Sequence, residues 1–486
     1  MTTLFDGLQP ANLWKHFEEF LKIPHCSGNE KGIGDYIVSV AEKLDLEWKR
    51  DDTGNIVISK PASPGHEGAV GVILQGHIDM VCEKNSDVIH DFTSDPIQAE
   101  IKEEWIHAKG TTLGADNGIG CCTALAVLED DTLIHPPLEC LFTVDEERGL
   151  TGANQIGSDF LKGRRLLNLD SEDEGEFTIG CAGGADNQIH IPIKRERGAK
   201  ADVVKLKVSG LRGGHSGVDI NLGRGNAIKL LARILWQTES KIPFRLIAIE
   251  GGNLRNAIPR EAWALVHIPS NEKQSFIDFT TGAFASIKNE YKVVDPEAAL
   301  EFVAFDEPVD EPLTFDSHRA LINFLFTCPH GVIAMHPEME GLVETSTNLA
   351  VVHTHADKEE IICSTRSSTA SALEATRHSI SALSQLIGAE IIHEDGYPSW
   401  PPDLQSPLLE KLTDLYRRTF DKSPHDVAIH AGLECGIIGE KFEGMDMISF
   451  GPTIKFPHSP DEKVHIGSVE MFWKFLIIAL RELAQS

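Results

Sequence analysis

Apolar and polar positions follow two rhythms along this chain. Leu13, Trp14, Phe17, Phe20 and Leu21 recur at the three-and-four spacing of one helical face. Gly32 to Leu46 predicts a second helix. Gly68 to Leu74 is a continuous apolar run, the pattern of a strand buried on both faces. Leu138 to Val144 and Leu166 to Leu169 resemble it, though broken by polar residues, and Cys121 to Leu128 predicts a helix before them. Such alternation implies a sheet covered by helices on both sides. The rhythm returns at the far end. Ser406 and Pro407 predict the cap and first residue of a helix through Phe420, and Asp426 to Ile429 and Met445 to Phe450 predict strands. The last helix is expected to bury Val469, Phe472, Trp473, Leu476, Leu480 and Leu483.

Between these ends the texture changes. Strands such as Val203 to Val208 alternate with polar residues, so one face should be wet. Helices are predicted at Asn226 to Gln237, Lys273 to Tyr291, Arg319 to Phe326 and Leu373 to Leu386. Two successive strand–helix–strand sets hint at a duplicated α+β unit. The Pro-rich stretch Tyr397-Pro398-Ser399-Trp400-Pro401-Pro402 marks a boundary or hinge. The fold class expected is α/β: a mixed sheet flanked by helices, built from residues 1–183 and 400–486, with a large α+β insertion over 184–399.

Charge narrows the function. Lys and Arg number 44 against 74 Asp and Glu, a formal charge of −30 over 486 residues. A surface that acidic repels phosphate backbones and anionic membranes, so neither nucleic acid nor membrane is an expected partner. No apolar run approaches the ~18 residues of a membrane span. Met1 to Pro10 carries Asp6 and no basic segment, unlike a secretory signal. Nine cysteines lie scattered without a Cys-x-x-Cys pair, a pattern that fits free thiols in a reducing cytoplasm.

Candidate chemistry gathers after the buried strands. The first ends in Gln75-Gly76-His77-Ile78-Asp79, and in extended chain His77 and Asp79 point to the same side. One can ligate a metal while the other orients it. Leu113-Gly114-Ala115-Asp116-Asn117-Gly118 lets the backbone bend sharply and project a carboxylate. Later strands lead into Asp145-Glu146-Glu147, Asp170 and the loop holding Pro457-His458-Ser459. In an open α/β sheet, ligands bind outside the carboxyl ends of strands. Two imidazoles and several carboxylates without a thiolate suit a hydrolytic zinc site of one or two ions. A two-metal site needs a carboxylate bridging ions about 3.5–4 Å apart. Of the adjacent Glu146 and Glu147, one can bind metal and the other take a proton from metal-activated water.

These motifs, in this order, resemble the family of co-catalytic zinc peptidases and amidohydrolases. Within it, the segments Gly76-His77-Ile78-Asp79-Met80-Val81, Gly114-Ala115-Asp116-Asn117-Gly118-Ile119-Gly120 and His430-Ala431-Gly432-Leu433-Glu434-Cys435-Gly436 are most similar to the bacterial dipeptidase branch that acts on Xaa-His substrates. The resemblance implies a zinc-peptidase-like catalytic domain with an inserted lid, and two Zn2+ per subunit that Co2+ or Mn2+ can replace. Asp116 would bridge the ions, His77 and Asp170 would complete one shell, and Glu147 and His458 the other. Asp79 would orient His77, and Glu146 would be general base and then acid. A cis peptide after the bridging residue is implied at Asp116 to Asn117. Asp in the third ligand position, which favours a free-amine substrate, is assigned to Asp170, with Glu172 as fallback.

The lid resemblance rests on Gly213-Gly214-His215-Ser216-Gly217, Gly252-Asn253-Leu254-Arg255-Asn256-Ala257-Ile258-Pro259 and the strand-end Arg366. It implies that His215 stabilises the oxyanion, Asn256 and Gly432 contact substrate, and Arg366 grips the substrate's C-terminal carboxylate. It also implies a homodimer through the lid, leaving open which subunit's His215 serves each site. The expected activity is metal-dependent hydrolysis of dipeptides with free ends, Xaa-His dipeptides included. The alternatives are an N-acyl amino acid amidohydrolase on the same metal site and a non-catalytic metal-binding regulatory protein.

Overall fold

The structure, a computed structural model, describes residues 4–198, 201–303, 305 and 308–485. The chain divides into two units. One takes in the chain up to Cys181, Trp400–Ala428 and everything from Leu433 on; the other takes in Ala182–Ser399 and Ile429–Gly432.

In the first unit the apolar runs pair side by side. An eight-stranded mixed sheet runs in the order Glu47–Arg50, Ile56–Lys60, Leu138–Thr143, Val72–His77, Arg165–Asn168, Asp446–Ser449, Glu176–Cys181, His425–Ile429. Its middle four strands are parallel, and their register aligns His77 with Thr143, Gln75 with Asn168, and Asn168 with Ser449. Their carboxyl ends therefore meet at one edge, which is where the polar motifs begin. The strand expected from Gly68 starts only at Val72, because Ala69 donates back to His66 in a turn.

Helix Ala115–Glu129 is buried from Ala115 to Leu128, as expected of a helix apolar all round. Lys60 Nζ satisfies its last turn by donating to the carbonyls of Val127, Leu128 and Asp130. Ser406 caps Pro407–Phe420 by accepting from the Leu409 amide. The last helix, Ile466–Leu483, corrects the expected face: Phe475 is buried, whereas Trp473 is only half-buried. A separate four-stranded sheet places Ile454–Lys455 antiparallel to Lys463–His465, then Trp105–Ala108 and Ala99–Lys102. The loop between its first two strands carries His458.

The expectation of free thiols fails at one pair. Cys26 and Cys82 form a disulfide, because the segment after helix Ala11–Lys22 runs beside Met80, whose amide donates to the His25 carbonyl. The other seven cysteines are free and buried.

The second unit is built on a nine-stranded antiparallel sheet. Its order is Ala299–Val303, Asp202–Ser209, Ala262–Ile268, Arg245–Gly251, Val343–Thr354, Lys358–Ser367, Gly183–Pro192, Glu390–His393, with Gly331–Met335 added against Val343–Thr354. The two strand–helix–strand sets thus join into one sheet where Gly251 pairs with Val352. Helices Ala227–Glu239, Lys273–Tyr291, Phe315–Thr327 and Ala370–Leu386 contribute Leu231, Phe276, Phe324 and Ile380 to its core. Among the described residues, no helix is long and apolar enough to cross a membrane.

Candidate metal centre and active site

His77 is the last residue of its parallel strand and is buried, at 1% exposure. Its Nε2 lies 3.2 Å from Asp116 Oδ1 and 3.4 Å from Asp170 Oδ1. The other oxygen of Asp116 lies 3.1 Å from His458 Nε2, which is 3.0 Å from Glu147 Oε2. One carboxylate therefore reaches both imidazoles, each of which has a further carboxylate beside it. Potential ligand atoms of His77, Asp116 and Asp170 lie within 4.8 Å of one another, and so do those of Asp116, Glu147 and His458. Glu172 belongs to neither cluster, and the strand before it ends at Asn168, which places Asp170 at the site.

The local sequence explains this convergence. Asp116 and Asn117 sit at the start of helix Ala115–Glu129 in non-helical conformation, and the peptide between them is cis. Asn117 Nδ2 donates to the Leu169 carbonyl, tying the helix to the segment that carries Asp170. Its amide crowds Gly76 and Gly120, so a Cβ at either position would strike it. On the other side, His458 adopts φ 60°, a left-handed backbone that the loop must hold in place.

Asp79 bonds in two directions. Its carbonyl lies 3.1 Å and its carboxylate 3.4 Å from His77 Nδ1, and the carboxylate accepts the Glu146 amide at 3.0 Å, the Glu147 amide at 3.3 Å and the Ser27 hydroxyl at 2.7 Å. It thus fixes both an imidazole and the glutamate pair. Burial opposes its ionisation, but His77 and these donors outweigh burial and pull its carboxyl down to about 2. Sequence reasoning missed Ser27, which has no motif around it.

The carboxylates here are buried and close to one another. Burial, with Asp170, Glu434 and Glu147 nearby and His77 opposing, pushes Glu146 well above the usual carboxylate range. Burial also raises Glu147 and Asp170. Hydrogen bonds to Asp116 and Glu147 raise His458 to about 11. Glu147 Oε1 is buried with no hydrogen-bond partner. An orphaned buried oxygen costs about 1–3 kcal/mol or more when charged. Crowded carboxylates around two imidazoles, with buried oxygens of Glu147 and Asp170 lacking hydrogen-bond partners, fit divalent cations with His and carboxylate ligands.

Glu434 adds a buried carboxylate that sequence reasoning did not single out. It accepts from Gln75 Nε2 at 2.6 Å and Thr143 Oγ1 at 2.7 Å, and its burial lifts it to about 7.

Within the second unit, Arg366 is 9% exposed and donates to the Tyr397 hydroxyl at 2.6 Å, while its Nε has no partner. Gly432 packs so close to the Tyr397 ring that a Cβ would collide with it. His215 Nδ1 accepts from the Gly217 and Val218 amides, each at 3.2 Å, which leaves the proton on Nε2. Burial, then Arg366, lowers His215 and keeps it neutral. The Asn256 carbonyl accepts from the neighbouring Ser216 amide at 2.8 Å; the Asn256 side chain is exposed. His430 bonds Ser346 at 2.7 Å. Tyr397, expected only as part of a junction, is thus a partner of Arg366.

The model of peptidase family M20/M25/M40 matches residues 73–482. Cytosol non-specific dipeptidase of Escherichia coli is 43% identical over 479 residues, covering 98% of each chain. The crystal structure of aminoacylhistidine dipeptidase from Vibrio alginolyticus is 43% identical, covers 99% of this chain and 98% of its own, and superposes with a TM-score of 0.90. Aminopeptidase PepT from Bacillus cereus, 16% identical with a TM-score of 0.56, shares the fold. The chain belongs to peptidase family M20/M25/M40 and is a peptide hydrolase.

Proposed function

We propose that this protein is a cytoplasmic metallodipeptidase that hydrolyses dipeptides with free amino and carboxyl ends, Xaa-His dipeptides such as carnosine among them. The names of the two relatives at 43% identity support the substrate class. The observation that carries the metal reading is the Asp116 carboxylate, one oxygen 3.2 Å from His77 Nε2 and the other 3.1 Å from His458 Nε2. His77, Asp116 and Asp170 would hold one zinc ion, and Asp116, Glu147 and His458 the other. When bound, the pair supplies Lewis acidity toward water and the peptide carbonyl.

The chain's own groups do the rest. Asp79 keeps His77 aligned and holds the backbone of Glu146. Glu146 takes the proton from the attacking water and returns it to the departing amine nitrogen. His215 donates its Nε2–H to the oxyanion. Arg366 pairs its unpartnered edge with the substrate's carboxylate. Asn256 and Gly432 contact the substrate. The working form is a homodimer through the second unit.

A hydrolysis panel tests this reading. Free dipeptides and their N-acetylated forms are assayed with chelator, then with zinc, cobalt or manganese added back. Cleavage of the free forms, loss with chelator and recovery with metal are expected. Preference for the N-acetylated forms would make the enzyme an amidohydrolase, and cleavage indifferent to chelator would remove the metal from the mechanism.

A further inference from the structure

The loop that carries His458 ends in a residue that neither the motifs nor the proposed mechanism uses. Glu462 is 2% exposed, yet it lies in the polar run Ser459-Pro460-Asp461-Glu462-Lys463. Its carboxylate collects four consecutive backbone amides from the other side of the site. Oε2 accepts from Leu113 at 2.7 Å and Gly114 at 3.1 Å; Oε1 accepts from Ala115 at 2.7 Å and Asp116 at 3.3 Å.

Successive amides can converge on one anion only if the backbone curls, and Gly114 supplies the curl with φ 74°. Asp116 and Asn117 are outside helical geometry, so the helix itself does not aim the Asp116 side chain. The loop bearing Glu462 is stiffened at its base. Strands Ile454–Lys455 and Lys463–His465 pair, the Ser459 hydroxyl donates to the Phe456 carbonyl, and the Glu462 amide donates to the Ser459 carbonyl.

We infer that Glu462 is a positioning residue for the metal centre: a clamp that locks the backbone of Asp116 to the His458 loop. This rests on the metal reading above. The clamp fixes the bridging carboxylate relative to the His458 imidazole, so it governs chiefly the site formed by Asp116, Glu147 and His458. The site formed by His77, Asp116 and Asp170 draws its other two ligands from the central sheet and depends on the clamp less.

The test is cation binding to metal-stripped protein, titrated with zinc against a chromophoric chelator. Hydrogen exchange of the amides at 113–116 is measured in parallel. Glu462→Gln replaces one acceptor oxygen with a donor facing those amides. Gly114→Ala disturbs the same curl from the other side, bringing a Cβ to 2.9 Å from Met80 Sδ, and serves if Glu462→Gln fails to fold. Leu480→Ala, in the buried C-terminal helix, controls for general loss of stability. The clamp predicts that one of two cations binds at least tenfold more weakly in either site variant and the other changes less than threefold. The amides at 113–116 should exchange faster, and Leu480→Ala should bind both cations as wild type does. If wild type binds two cations and both site variants match it within threefold, or if Leu480→Ala loses as much as they do, the inference is overturned alone. Fewer than two cations on wild type would overturn the metal reading and the clamp with it.

Discussion

Glu146 and Glu147 are adjacent in sequence, and their surroundings differ. Glu147 lies 3.0 Å from His458 and shares a cluster with Asp116. Glu146 stands outside the two clusters that share Asp116, and burial beside other carboxylates gives it a high proton affinity. Glu146→Ala should therefore lower turnover by at least about 100- to 10,000-fold while metal content, read by elemental analysis, stays at the wild-type level. Normal turnover, or loss of metal, would contradict the role. The metal-ligating candidates were legible because most of them follow a buried strand, and strand ends at one sheet edge converge. The strand before them stops at Asn168, and Asp170, not Glu172, falls in the cluster with His77 and Asp116. Ser27, Glu434 and Glu462 were not legible. A Ser or Glu in a polar stretch looks solvated until the fold brings a distant donor to it, and Glu462 finds its donors 346 to 349 positions away.

At the scale of elements, periodicity located segments better than it located faces. The helix at Ala11–Lys22 buries the expected stripe, and Pro407–Phe420 has the expected cap and bounds. Ile466–Leu483 is apolar on most sides, so its pattern alone could not rank Trp473 against Phe475. Packing decides. Phe475 meets the rings of Phe177, Tyr416 and Phe450 at centroid distances of 5.4, 5.1 and 5.1 Å. Phe475→Ala should cost about 3–5 kcal/mol and Trp473→Ala clearly less, measured by denaturant unfolding. Equal losses would place both rings in the same environment. The front of helix Ala115–Glu129 was hidden because Asp116 and Asn117 interrupt its apolar run, and the Cys26–Cys82 pair depends on tertiary neighbours that no spacing rule reveals.

For the whole molecule, the first unit draws its sheet from both ends of the chain, so the metal-ligating candidates span His77 to His458. The second unit carries its own pH sensitivity. His318 is fully buried, its Nδ1 accepts the Leu246 amide at 3.0 Å, and burial beside Arg245 and Arg319 lowers it to about 3. A folded pKa below the unfolded value of ~6.5 means that unfolded chain binds the proton first. Stability is therefore full above ~6.5 and falls as pH drops from there toward 3, by about 2 kcal/mol at pH 5. His318→Asn keeps an acceptor without a titrating ring, and its urea midpoint should change less between pH 7 and pH 5 than that of wild type. The same acid slope in both proteins would assign the effect elsewhere.

The proposed catalysis turns on Asp116 standing between two cations. A crystal of the protein loaded with zinc, with diffraction collected at the zinc absorption edge, addresses that directly. Two anomalous peaks are expected about 3.5–4 Å apart, one against each oxygen of Asp116, with His77 and Asp170 around the first and Glu147 and His458 around the second. A single peak, or ions seated away from Asp116, would contradict it.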